Sequence, residues 1–84
     1  INEMIVLRKE NLKLINQKDK WLLDFLEKNP IINAKKTSEK TNFDYYKVNR
    51  TINKFVSYGI LKVLDKSKKS RTYIYQKYVD ILKT

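Results

Sequence analysis

Three residues, Asn42, Phe43 and Asp44, constrain the fold of this chain more than any other stretch, because they mark a tight turn between two helices. Asn42 tolerates the left-handed backbone conformation that a sharp reversal needs. Phe43 is an apolar anchor, and Asp44 can accept hydrogen bonds from the free N–H groups that open a helix. The helix before the turn is expected over Ala34 to Thr41, with Asn33 as its N-cap. The helix after it is expected from Tyr45 to Tyr58, burying Val48, Ile52 and Phe55 at steps of four and three. Gly59 suits the left-handed position that closes such a helix, since it has no Cβ.

The flanking sequence supplies the other elements. A leading helix is expected from Asn2 to about Asn16, with Met4, Ile5, Leu7, Leu12, Leu14 and Ile15 forming a broad apolar face. A helix of that length is marginal alone. It must lie on the rest of the domain or on a neighbouring domain, or else pair two copies of the chain. Asp19 is placed to cap a second helix carrying Trp21, Leu22, Phe25 and Leu26, which Pro30 stops. Ile31 and Ile32 then form a short extended piece. After Gly59, Ile60 to Leu64 and Thr72 to Tyr75 read as two strands joined by the polar, basic stretch Asp65 to Arg71. A short helix, Gln76 to Leu82, closes the chain, with Val79 and Leu82 expected to return to the core. The fold class is therefore mainly α with a small β-hairpin: a winged helix-turn-helix over residues 18–84, preceded by a leading helix over residues 1–17.

An 84-residue chain that is 42% apolar can build one modest core and no second domain. With no cysteine and no histidine, it has no disulfide framework, thiolate zinc site, cysteine nucleophile or imidazole base. The nine carboxylates are scattered singly among lysines, and the single glycine cannot build a phosphate-cradling loop. These features point to a non-catalytic chain with no cofactor and no metal. No stretch approaches the roughly 18 apolar residues of a membrane span, and no signal peptide opens the chain, so a cytoplasmic setting without a membrane partner is expected. The chain starts at Ile1 rather than methionine, as a piece cut from a longer protein would.

The net charge of +10 points to a polyanionic partner, and its distribution is uneven. From Ile1 to Ala34, six basic residues face five acidic ones, a net of +1. From Lys35 to Lys77, twelve face three, a net of +9. A composition rich in Lys, Asn and Ile can imitate a nucleic-acid footprint, but the N-terminal part has the same composition without the excess. The charge falls on the two helices and the wing that such a fold presents to DNA, where each neutralised phosphate releases counterions. Candidate DNA-binding residues follow from chemistry. Asn49, Arg50 and Asn53 are types that read base edges, while Lys47 and Lys54 suit phosphate. Tyr45 and Tyr46 can bond phosphate or stack, and Lys66, Lys68, Lys69 and Arg71 form the basic wing. The plain alternative for each is a solvated helix face. A protein-interaction or dimerisation module is the competing function, because fold alone does not decide it.

Two stretches carry a family likeness. One runs from Ile32-Asn33-Ala34-Lys35, through the turn, to Tyr58-Gly59-Ile60-Leu61. The other joins Arg71-Thr72-Tyr73-Ile74-Tyr75 to Tyr78-Val79-Asp80-Ile81-Leu82. From Trp21 to Leu82 the chain resembles the C-terminal winged-helix domain of Fic-family proteins, the bacterial adenylyl-transferase family also called Fic/DOC. Leu7-Arg8-Lys9-Glu10 is similar to the helix that leads out of that family's catalytic domain. The chain departs from the pattern where Asn42 replaces a glycine, Asp44 a serine, and Thr37 and Thr41 stand for leucines. The resemblance implies a parent catalytic domain as a partner. It implies no catalysis here, because the family's H-P-F-x-x-G-N-G-R signature needs a histidine and this chain has none.

Overall fold

A computed structural model describes residues 2–65 and 71–83. Lys66, Lys68 and Lys69, assigned above to the wing, lie outside the described residues. In chain order the elements are α1 (Asn2–Leu14), a 3-10 turn (Gln17–Asp19), α2 (Lys20–Lys28), β1 (Ile31–Ile32), α3 (Ala34–Thr41), α4 (Tyr45–Ser57), β2 (Lys62–Asp65), β3 (Thr72–Ile74) and α5 (Gln76–Lys83). The fold is mainly helical with a small antiparallel sheet, as the spacing of apolar residues leads one to expect.

The helix-turn-helix forms for the reasons legible in its caps. Asn33 is extended and its side chain accepts from the Lys36 N–H at 2.8 Å, opening α3. Asn42 takes the left-handed conformation, φ 60° and ψ 20°, which turns the chain sharply. Asp44 then accepts from the N–H groups of Tyr46 and Lys47 at 3.1 and 3.2 Å, opening α4. At the far end of α4, Ile60 N–H reaches Phe55 O and Gly59 N–H reaches Val56 O, both at 3.0 Å. This double bond pattern around Gly59, whose φ is +80°, is the Schellman closure of a helix.

Leu22, Leu23, Leu26, Val48, Ile52 and Phe55 are fully buried and form the centre of the core, where α2 and α4 meet. Tyr73, Tyr75, Ile60 and Leu61 close it from the sheet side. The sheet has three strands in the order β1-β3-β2, one more than the hairpin expected. Ile31 and Ile32 pair with Ile74 and Tyr73, so the short extended piece after Pro30 is a true edge strand. Between β2 and β3 the register shifts between Val63 and Asp65, leaving Leu64 as the extra residue of a bulge, 55% exposed.

Three expectations need correction. Asp19 sits at the N-cap position of α2 but makes no side-chain capping bond. The preceding 3-10 turn, closed by Asp19 N–H on Asn16 O at 2.8 Å, holds Asp19 at φ −101° and ψ 4°, not in the extended conformation from which a cap side chain folds back. The leading helix buries only Leu7 and Asn11, four residues apart. It rests on α5 along that narrow stripe, so Ile5 and Leu14 of the expected apolar face stay about half exposed, at 47% and 50%. Leu82 is likewise exposed at 54%, because α5 turns Tyr78 and Ile81 towards the core instead.

Polar contacts also seat α1. The Arg8 guanidinium forks onto Asp24 and Glu27 of α2, and those two carboxylates raise its pKa further above its ordinary value. Asn11 reaches the hydroxyl of Tyr75.

Candidate nucleic-acid interface

The outward face of α4 is defined by what its inward face buries. Val48, Thr51, Ile52 and Phe55 occupy one side of the helix, so residues a half-turn away point to solvent. Tyr46, Arg50 and Asn53 follow one another there at steps of four and three, all exposed, with Tyr46 at 75%. Tyr45 and the half-buried Asn49 lie along one flank of this stripe, and Lys47 and Lys54 along the other. The seven residues nominated on this helix therefore share one continuous surface. Arg71, immediately before β3, is exposed but belongs to the sheet side.

Within that surface some side chains are held and others are not. The Tyr45 and Tyr46 rings meet edge to face at 5.7 Å, forming an aromatic pair at the first turn of α4. Lys47 Nζ stands 4.3 Å above the Phe43 ring, so part of its charge is engaged by the turn anchor. Phe43 is itself fixed by Trp21, ring to ring at 4.9 Å, and its carbonyl accepts from the Ser38 hydroxyl at 2.6 Å. This places the N-terminus of α4 on a rigid seat.

Lys54 also has an inward contact. Its Nζ is 3.6 Å from Asp19 Oδ2, a carboxylate oxygen that is buried and has no hydrogen bond. An isolated ionised carboxylate is costly away from water, so this lysine is drawn inward as a counter-ion. It is less free to meet a phosphate than Arg50, for which no internal partner is found among the described residues.

The buried Asp19, which its sequence position marks only as a helix cap, lies beneath this surface as the neighbour of Lys54. Lys36 and Lys40 of α3 and Lys62 of β2 are also exposed. They entered the charge sum without being singled out, although a one-turn lysine spacing on α3 could have marked the pair. Among the described residues, no group of acidic side chains is placed to hold a metal ion, and no helix is long and apolar enough to cross a membrane.

Comparison with protein-family models, with curated proteins and with solved structures finds no match for the chain.

Proposed function

We propose that this chain is a non-catalytic module that binds double-stranded DNA, with α4 entering the major groove and the basic segment between β2 and β3 meeting the backbone. The observation that carries this reading is the exposed Tyr46–Arg50–Asn53 stripe on a helix whose other face is locked into the core. An α-helix fits the major groove, and an arginine with a neighbouring asparagine supplies the bidentate donors and acceptors that base edges require. The concentration of charge between Lys35 and Lys77 supplies the sequence-independent attraction. A cytoplasmic setting and a place beside a Fic-like catalytic domain belong to the same reading, the latter on the motif resemblance alone.

The test is duplex binding as a function of salt. If about six phosphates are neutralised, log affinity falls against log salt with a slope of about five between about 50 and 200 mM. Affinity no better than millimolar at the lower salt overturns the reading.

One observation favours a second reading, in which two copies pair through α1. Val6, at 53% exposure, and Ile81 form part of an open apolar groove between α1 and α5, and Leu82 stands exposed on α5. A concentration series in analytical ultracentrifugation separates the two readings. A monomer that binds duplex supports the first, and a salt-insensitive dimer indifferent to duplex supports the second.

A further inference from the structure

The first turn of α4 carries a chemistry that charge alone does not explain. Among the described residues, Tyr46 is the most exposed of the large apolar and aromatic side chains, so its ring is not there to fill the core. The Tyr45 ring braces it edge to face at 5.7 Å. Asp44 caps this turn, accepting from the N–H groups of Tyr46 and Lys47, and its side chain is exposed. The donors that a helix N-terminus would offer a phosphate are therefore engaged, and the carboxylate opposes any second negative charge brought beside it. Lys47, in the same turn, has its ammonium group over the Phe43 ring. Of the two partners a tyrosine can take here, phosphate is thus the disfavoured one. What remains is a braced, solvent-facing ring, one helical turn before Arg50 on the same exposed stripe.

We propose that Tyr46 is a specificity-determining residue whose ring packs on the C5-methyl group of a thymine, in the base pair next to a guanine read by Arg50. The inference rests on the DNA reading and narrows it to a T·A pair beside a G·C pair. The thymine methyl is the apolar group that the major groove displays, and an aromatic ring is a side chain suited to meet it. Residues four apart on a helix are separated by about 6 Å along its axis. A helix lying in the groove is inclined to the duplex axis, so two such residues meet neighbouring base pairs, which are about 3.4 Å apart. Tyr45 holds the ring in place, which lowers the cost of fixing it against a single methyl group.

The experiment titrates the full 84-residue chain against a short duplex in which one strand alternates T and G and the other alternates C and A. Every guanine is then flanked on both sides by T·A pairs, whatever register the protein takes. A second duplex carries uracil in place of every thymine and differs only by the methyl groups. At about 50 mM salt the parent is expected to bind the uracil duplex about fourfold more weakly, the loss of one methyl group from an apolar contact. Tyr46→Ala is expected to bind the two duplexes alike, and Tyr46→Phe to keep the difference, with melting temperatures like the parent's because the ring is exposed. Equal binding of both duplexes by the parent overturns the proposal. So does a difference that persists in Tyr46→Ala, which assigns the effect of uracil to duplex shape. The alternating T and G strand alone, bound as tightly as the duplex, also overturns it, because a ring that stacks on unpaired bases needs no groove. In each of these outcomes duplex binding survives, whereas a parent chain that binds none of the three overturns the DNA reading as well.

Discussion

Asn11 Nδ2 donates a 2.7 Å hydrogen bond to the hydroxyl of Tyr75, 64 residues further along the chain, and both residues are buried. This bond ties the leading helix to the end of β3. Tyr78, stacked on Tyr75 at 5.2 Å, adds a bond from its own hydroxyl to Glu27 O. Removing one partner leaves the other as an unsatisfied polar group in the core, at about 1–3 kcal/mol. Chemical denaturation should therefore show Asn11→Leu and Tyr75→Phe each destabilised, and the double variant less destabilised than the sum of the two.

The same tyrosine makes stability sensitive to alkali. Burial pushes the Tyr75 pKa up from 10.0 to about 12, and the bond from Asn11 opposes this only in part. Below pH 10 the phenol is neutral in both folded and unfolded chains, and it contributes no pH dependence. Between pH 10 and pH 12 the unfolded chain loses its proton while the folded one keeps it, so stability falls as pH rises, by about 1 kcal/mol per pH unit. Melting temperatures at pH 9 and pH 11 should drop less for Tyr75→Phe than for the parent, with Tyr46→Phe on the exposed face as the control.

Gly59 offers a test of backbone conformation with little side-chain interference. Its φ of +80° is costly for most residues with a Cβ, alanine among them, yet a Cβ built there meets no atom within 4 Å. Gly59→Ala should thus cost about 1–2 kcal/mol through conformation alone. A thermal melt showing no loss would mean that the closure of α4 does not depend on the left-handed residue.

Most local chemistry was legible in the sequence, the cap expected of Asp19 being the exception, and long-range pairing was not. Asn33, Asn42, Asp44 and Gly59 act on backbone groups within a few residues of themselves, so their roles follow from type and position. The pairing of Ile31 with Ile74 joins residues far apart in the chain, and nothing in either segment names its partner. Asn11 was opaque for a related reason. A polar residue in the middle of an amphipathic helix reads as a solvent-facing position until Tyr75 is brought to meet it. The face of α4 was readable because its period is regular, but the residue that restrains Lys54 was not, since Asp19 arrives from another element.

Lys54 and Arg50, one helical turn apart on α4, should consequently behave in opposite ways when replaced. Lys54→Ala removes the cation beside the buried Asp19 carboxylate, and should cost about 1–2 kcal/mol of folding stability, between the values for exposed and buried pairs. Asp19→Asn in the same chain should restore part of that loss, because the uncompensated charge is gone. Arg50 is exposed, so Arg50→Ala should leave the folding stability within about 0.5 kcal/mol of the parent. In duplex binding the order reverses. Arg50→Ala should lose about 1–3 kcal/mol of discrimination among duplex sequences, as expected for a base-edge contact. Lys54→Ala with Asp19→Asn should bind nearly as the parent does. Denaturation curves and duplex titrations on the same three variants decide the matter: equal losses of affinity from Arg50 and Lys54 would mean that both side chains meet the same phosphate backbone and that α4 reads no bases.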